Sequence, residues 1–333
     1  MEVERKGSTL RSYEQLLRLH VIPRFGQRRL SDIKREEIKA FLGELSREKK
    51  AIGGKTVPRF ARNTLRLIVG ALRSVLSAAV EDGVIEKSPA LRVGRFAKTE
   101  RPAHQASAMT RREAEEFLGA VLDVCPEWYP FFLTALRAGL RKGELIALKW
   151  GDIQFGKDEN DSNRFILVQR NYSLGQFTTP KNHKTRRVDL SRQLRMVLLQ
   201  IRDKRLLEAF LGGKTSISDE LVFPSQAGTP IKPDNIAVRY MHPALEKAGL
   251  RHFRFHDLRH TFGSLLIQDG ASLTYVKEQM GHSSIQITVD TYGHLIPGAD
   301  IAWVDRLDSQ PCPQQSANRT QTGDAALEIE DLG

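Results

Sequence analysis

Cysteine is almost absent from this chain of 333 residues, in which only Cys125 and Cys312 occur. One lies in an apolar helical segment and the other in a segment rich in Pro and Gln, which argues against a disulfide framework and a thiolate metal site. The chain has no run of about 18 uncharged apolar residues, and its first six residues alternate in charge. We therefore expect a protein of the reducing cytoplasm, with no membrane as its partner.

Positive charge is present in excess and is unevenly placed. The net charge is +11, and residues 1–106 alone hold 23 Lys and Arg against 12 Asp and Glu. That difference equals the net charge of the chain, so the remaining residues are balanced. Clustered basic residues gain affinity for phosphates by releasing condensed counterions, which favours a nucleic acid as the partner; a solvated basic surface is the alternative.

The first third predicts a small helical domain. A helix capped by Ser8 or Thr9 is expected to stop at Pro23, and a second carries an apolar stripe at i, i+3, i+4 and i+7 from Ile38 to Leu45. The clearest helix follows Asn63 and ends before Gly83. Its flanking basic row consists of Arg62, Arg66 and Arg73, and the loop before it adds Lys49, Lys50 and Lys55.

A basic, proline-containing stretch without an apolar stripe predicts a linker over residues 97–107, between a helical domain at 1–96 and a second domain at 108–307. The second domain begins with a capping box, Thr110 with Glu113. It mixes helices with short strands near Ile153, at 165–169 and at 187–190. A short helix is expected at 299–307, and residues 308–333 are expected to be disordered.

One segment, HFRFHDLRHTFGSLL, combines residues suited to a phosphate diester. His256 and Arg259 are three apart and share a helix face; Arg gives fixed bidentate hydrogen bonds, and His can move a proton near neutral pH. A polar helix start with a capping His is the plain alternative. A zinc site at His256 and His260 is disfavoured because Asp257 replaces the usual Glu and Arg259 would repel the ion.

Farther along, His282 follows a helix end and Tyr292 lies ten residues on. A lone Tyr is usually a packing residue, and a phenol with a pKa of about 10 needs help to act as a nucleophile.

Four segments together resemble the ordered signature blocks of the tyrosine recombinases, or phage integrases. They are ALRAGLRKGELIALKWGDI, PKNHKTRRVDL, HDLRHTFGSLL and MGHSSIQITVDTYGHL, which lie between residues 135 and 295. The segments STLRSYEQLLRLHVIP and NTLRLIVGALRSVLSAAVEDGVI resemble the family's core-binding domain. The resemblance implies a mainly α fold with a small antiparallel β-sheet, in two domains: a helical core-binding domain and an α+β catalytic domain.

The resemblance also assigns roles by position. It implies that Tyr292 attacks DNA to form a 3′-phosphotyrosyl link, that His256 assists removal of its proton, and that His282 donates a hydrogen bond to the phosphate. It makes Arg141 and Arg259 the phosphate clamp. Glu144 orients Arg141 or His256.

The lysine that protonates the leaving oxygen is Lys181 or, as the fallback, Lys184, since Pro180-Lys181-Asn182 departs from the family's usual Pro-Lys-Thr. No metal or other cofactor is implied, because the phosphotyrosine retains the energy of the broken ester.

The partners implied are double-stranded DNA, three further copies of the chain on paired sites, and accessory DNA-bending proteins, in the cytoplasm at the nucleoid. Two alternatives stay open: a DNA-binding regulator that does not cut, and a relaxing enzyme of the type IB topoisomerase kind. We expect the sequence to start directly at the core-binding domain, without the amino-terminal arm-binding domain that some integrases have.

Overall fold

The computed structural model describes residues 7–93, 107–180 and 184–295. The bounds of its helices are α1 Gly7–Leu16, α2 Ile22–Phe25, α3 Arg35–Arg47, α4 Arg62–Glu81, α5 Arg111–Val124, α6 Tyr129–Ala138, α7 Lys142–Ile146, α8 Arg192–Leu211, α9 Pro233–Ile236, α10 His242–Lys247, α11 Phe255–Gln268, α12 Leu273–Met280 and α13 Ile285–Tyr292. The strands are β1 Lys49–Ile52, β2 Lys55–Pro58, β3 Ile153–Gln154, β4 Phe165–Val168, β5 Asn171–Ser173, β6 Gln176–Thr178 and β7 Arg186–Asp189. The predicted fold class, mainly α with small antiparallel sheets, is confirmed.

The first region, residues 7–93, has its own hydrophobic core. The stripe predicted on α3 is buried, and α4 buries one face from Ile68 to Ala79, ending before Gly83 as its pattern indicates. By length and hydropathy alone α4 could span a membrane. However, its buried face packs in this core, and core helices of globular domains meet the same criterion.

Two details of this region differ from the predictions. Lys49, Lys50 and Lys55 belong to an antiparallel hairpin instead of a loop, because Gly53 and Gly54 both adopt positive φ and make a two-residue turn. In addition, the first helix continues past Pro23 as α2.

Pro23 is tolerated inside the helical run because a π-helical turn, Leu17–Val21, directly precedes α2. Proline has no N–H and its ring clashes with the carbonyl four residues earlier, so a wider turn removes both conflicts. The same arrangement recurs where the π-helical turn Ala237–Met241 precedes His242 and Pro243.

The second region begins at the predicted capping box. The Thr110 side chain accepts a hydrogen bond from the backbone N–H of Glu113, and the Glu113 side chain accepts one from the backbone N–H of Thr110. Helices surround a three-stranded antiparallel sheet of order β3-β4-β7, in which Ile166 pairs with Val188 and both are buried. A β5-β6 hairpin lies between β4 and β7, in the polar region containing Gly and Pro that was expected to form a hairpin between these strands. The predicted linker, the helix at 299–307 and the tail lie outside the described residues, apart from residue 107.

Candidate active site

One face of α11 supplies the centre of the candidate site. His256, Arg259, His260 and Gly263 follow one another at i, i+3, i+4 and i+7, so helical geometry aligns them in a stripe. Leu258 on the same helix is fully buried in the core of the region. Packing of the apolar residues therefore fixes which way the stripe faces.

Both predicted arginines point their guanidinium groups at the carboxyl-terminal ends of helices. Arg259 donates through Nη1 to the carbonyl of Gly139 after α6, over 2.5 Å, and through Nη2 to the carbonyl of Met280 at the end of α12. Arg141 donates through Nη2 to the carbonyl of Gly281, over 3.1 Å. Carbonyls at a helix end lack helical partners and carry the negative end of the dipole, so they suit cations.

Glycine is required at both helix ends. Gly139 has φ +56° and Gly281 has φ +61°, the left-handed conformation that ends a helix. A Cβ at Gly139 would also lie 2.3 Å from Phe262 Cδ1, and one at Gly281 would lie 2.6 Å from Arg186 Cδ. These glycines let the two helix ends approach the arginines closely.

Glu144, predicted to orient an arginine, bridges two of them. It accepts a hydrogen bond from Arg141 Nη1 over 2.8 Å and two from Arg186, over 2.9 and 2.7 Å. Burial alone would raise the pKa of Glu144, which is only 2% exposed, but the hydrogen bonds and charge of Arg186 and the charge of Arg141 lower it to about 2. The carboxylate is therefore charged at neutral pH and fixes both side chains.

Positive charge nevertheless exceeds negative charge at this point. Arg259 is 3% exposed, and burial together with the charges of Arg141 and Arg186 lowers the pKa of Arg259 to about 9. Two guanidinium groups thus contact the carboxylate of Glu144, and the third, of Arg259, lies close enough to feel its charge. Such a site favours an anion with oxygens in several directions, as in a phosphate diester.

His282 lies on the turn between α12 and α13, where its Nδ1 is 2.9 Å from Thr288 Oγ1. Its ring is parallel to that of Tyr292, with centroids 6.4 Å apart. Burial and the charge of Arg259 lower the pKa of His282 to about 3, so the imidazole is neutral at neutral pH. A neutral imidazole can donate one hydrogen bond to an anion.

Tyr292 is the last residue of α13, and its side chain is fully buried. Burial raises the pKa of its phenol, and the charge of Arg259 opposes that shift. The ring lies against the bare backbone of Gly263, where an added Cβ would be 2.9 Å from Tyr292 Cζ and 3.1 Å from Oη. The hydroxyl is 2.8 Å from Nδ1 of His260.

Of the two candidate lysines, one lies within the described residues. Lys181 lies outside the described residues. Lys184 lines a cavity of about 620 Å³, together with Arg141, Arg186 and His282. The fallback lysine is thus next to the predicted site, and the choice between the two stays a prediction.

The predicted DNA-binding row is exposed. Arg62, Arg66 and Arg73 all lie on the solvent side of α4, opposite its buried face. In the part of the chain that the structure describes, no group of three or more His, Cys, Asp or Glu residues could hold a metal ion.

Two residues of the site escaped the sequence analysis. Arg186 lay just before the strand predicted at 187–190, whereas β7 includes it. Alternation along β7 could have separated it from Arg187, which stacks on Phe165 at 4.3 Å. His260 had been considered only as a zinc ligand. Its position four residues after His256 was the signal that it shares the same face.

Comparisons with known proteins identify the family. The sequence profile of the phage integrase family matches residues 108–297, and that of the phage integrase N-terminal SAM-like domain matches residues 1–46. The chain is 26% identical to a XerC-like tyrosine recombinase of Caldanaerobacter subterraneus and 27% identical to the ICEBs1 integrase of Bacillus subtilis. Each alignment covers 92% of this chain and 79% of the relative.

Its fold is similar to that of the Tn1549 transposon integrase in complex with a circular intermediate DNA, with a TM-score of 0.68 and 20% identity over 91% of this chain and 95% of that one. The profile match at 108–297 spans more than half of the chain. The chain therefore belongs to the phage integrase family of tyrosine recombinases, enzymes that cleave and rejoin DNA at specific sites through a 3′-phosphotyrosyl intermediate.

Proposed function

We propose that Tyr292 is the nucleophile of this recombinase and that Arg141 and Arg259 hold the scissile phosphate. The phenol oxygen attacks phosphorus, the bond to the 5′-oxygen breaks, and the protein becomes linked to the 3′-phosphate. A 5′-hydroxyl then reverses the step on the same or another strand. The observation that carries the proposal is the convergence of residues from α7, α11 and α13 at the ends of α6 and α12.

The arginines would act on the charge that develops in the transition state. Their guanidinium groups are held by carbonyls and by Glu144 before any substrate binds, so little reorganisation is needed during the reaction. Preorganised donors of this kind commonly lower a barrier by several kcal/mol. Arg186 completes the clamp by fixing Glu144 from the other side.

The histidines would complete the phosphate site. His282 would donate a hydrogen bond to a phosphate oxygen as a neutral imidazole. Partial burial and the charges of Arg259 and Arg141 lower the pKa of His256, which agrees with a neutral ring beside both arginines. The family resemblance implies that His256 removes the proton of the tyrosine. The surroundings of His256 favour a place at the phosphate instead.

The leaving 5′-oxygen needs a proton, and we assign it to the lysine of the β6–β7 connection. Lys181 is the residue expected from the family pattern, whereas the exposed Lys184 lines the same cavity as Arg141. General acid catalysis by such a group contributes roughly 10²- to 10⁴-fold.

We further propose a two-domain clamp, with residues 1–96 on one face of the duplex, a linker at 97–107 and residues 108–307 on the other. Arg62, Arg66 and Arg73 would contact the phosphate backbone.

Four copies would act on two paired DNA sites in the cytoplasm at the nucleoid, with accessory DNA-bending proteins. Cross-linking on paired sites tests the tetramer, because two protomers that share one unpaired site would give no species above a dimer.

The nucleophile is tested with a nicked DNA substrate that traps the covalent adduct. Tyr292→Phe should abolish the adduct on a denaturing gel, because only the attacking oxygen is lost. Tyr240→Phe makes the same chemical change at a residue that stacks on Trp128 at 3.9 Å, and should keep the adduct. Persistent adducts in Tyr292→Phe would remove Tyr292 from this role.

A further inference from the structure

The hydroxyl of Tyr292 has a specific hydrogen-bond partner that is outside the family pattern read from the sequence. That partner is Nδ1 of His260, at 2.8 Å, with the two rings tilted by 55° and their centroids 5.9 Å apart. A nucleophilic phenol must lose its proton during attack, and a proton moves along an existing hydrogen bond more readily than through space.

We propose that His260 is a catalytic residue that accepts the proton of Tyr292 through Nδ1. The inference rests on the assignment of Tyr292 as nucleophile. The Oη–phosphorus bond forms, the bond to the 5′-oxygen breaks, the phenolic proton moves to Nδ1, and the leaving oxygen takes its proton from the lysine of the β6–β7 connection. In the rejoining step the same proton returns to Tyr292.

The state of the imidazole fits this role. Burial and the neighbouring His256 lower the pKa of His260 to about 4, so the ring is neutral at neutral pH and one nitrogen has a free lone pair. Several charged or titratable groups face His260. On its own helix Asp257 raises the pKa of His260, whereas Arg259 and the preceding Arg254 lower it. From the adjacent elements, His282 and Tyr292 face it.

Binding of a phosphate diester would favour the transfer. The negative charge of the diester offsets the positive charge of Arg259. That positive charge is one of those that disfavour a protonated His260. His260 would therefore become a better base when the substrate is in place.

The location of His260 on α11 gives the contact its precision. Gly263, one turn later, leaves room for the phenol, and His256, one turn earlier, presents its ring edge-on to His260 with centroids 4.9 Å apart. Three positions on a single helix therefore fix both the proton-accepting His260 and the space that the ring of Tyr292 occupies.

The test measures single-turnover formation of the covalent adduct as a function of pH. His260→Asn keeps a polar atom near the position of Nδ1 but cannot take up a proton, so it should lower the rate by about 10²-fold or more and remove the acidic limb of the profile. His242→Asn, the matched control, makes the same change at a histidine outside the site, whose Nε2 lies 3.1 Å from Nε2 of His252, and it should keep that limb. Persistence of the limb in His260→Asn would overturn the proposal.

A substrate with sulfur in place of the bridging 5′-oxygen separates the two proton transfers, because sulfur leaves without being protonated. This substrate should restore the cleavage rate of a variant that lacks the lysine of the β6–β7 connection, and it should leave His260→Asn slow. Recovery of His260→Asn on this substrate would contradict the proposal. Loss of the adduct in Tyr292→Phe is scored separately, so failure of the nucleophile assignment is recognised on its own.

A measurement on the unaltered histidine covers the case in which His260→Asn does not fold. The ¹⁵N resonance of Nδ1 of His260 should shift between the wild type and Tyr292→Phe, because the variant removes the O–H donor. Equal resonances in the two proteins would show that the hydrogen bond is absent in solution and would overturn the proposal.

Discussion

At the scale of single residues, the site depends on close contacts that leave little freedom. Glu144 balances Arg141 and Arg186, while Arg259 is held by backbone carbonyls. Tyr292 in turn fits only because Gly263 has no side chain. Substitutions of Gly263 and of Glu144 test these contacts.

We expect Gly263→Ala to displace Tyr292. The new methyl group would lie 2.7 Å from Met280 Sδ and 2.9 Å from Tyr292 Cζ, and overpacking of this kind costs about 1–3 kcal/mol. Urea unfolding and the adduct assay should both register the loss. Gly119→Ala on α5, where nothing lies within 4 Å, should be neutral or stabilising. Equal behaviour of the two variants would disprove the contact.

Glu144→Gln is expected to destabilise the protein by about 3–5 kcal/mol at neutral pH, because it leaves buried guanidinium groups without their counterion. The folded-state pKa of Glu144 is about 2, below the ordinary 4.5, so its contribution is complete above pH 4.5 and is lost as pH falls towards 2. The gap between wild type and variant should therefore narrow over that range in urea unfolding. Glu115→Gln, at an exposed glutamate of α5, is the control, and a gap independent of pH would contradict the assignment.

At the scale of elements, helix ends position the arginines. The carboxyl-terminal ends of α6 and α12 meet at Arg259, and each ends in a left-handed glycine. The short α7 brings Arg141 to the same place, since Arg141 is the residue that caps it. The site is thus built from the terminal turns of helices whose middles pack in the core.

Gly281→Ala tests this arrangement. A positive φ costs an alanine about 1–2 kcal/mol, and the added Cβ would also lie 2.6 Å from Arg186 Cδ. Gly270→Ala has the same conformational cost at φ +86° but meets nothing within 4 Å. We expect both variants to lose stability and only Gly281→Ala to lose most of its cleavage rate. Normal cleavage by Gly281→Ala would argue against a role for this helix end.

At the scale of the whole molecule, the proposed roles of DNA binding and chemistry fall in two regions with separate cores. The net positive charge of the chain lies in its first third, whereas the residues proposed for chemistry lie between 141 and 292. Phosphate contacts position a protein on DNA and make its affinity depend on salt. The two functions should therefore respond to different substitutions.

We expect replacement of Arg62, Arg66 and Arg73 together by Gln to weaken DNA binding and to reduce the slope of log affinity against log salt by up to about three. Cleavage at saturating DNA should persist, since the site itself is unchanged. Replacing Arg202, Lys204 and Arg205 on α8, two of which pair with acidic neighbours, removes the same charge elsewhere. An equal loss of slope in this control would show that α4 has no special role.

The sequence was sufficient for whatever depends on local order along the chain. The periodicity of α3 and α4, the capping box at Thr110 and the glycines that end α6 and α12 were all predictable, because helix formation and capping are decided within a few residues. Four motifs in order also pointed to the family, and the family profile confirms it.

The tertiary structure alone decided which side chains meet. The contact of His260 with Tyr292 joins residues 32 apart, and that of Arg186 with Glu144 joins residues 42 apart. The continuation of the first helix through Pro23 likewise needed a π-helical turn that no local signal announces. Such contacts depend on how whole elements pack, which spacing along a chain does not specify.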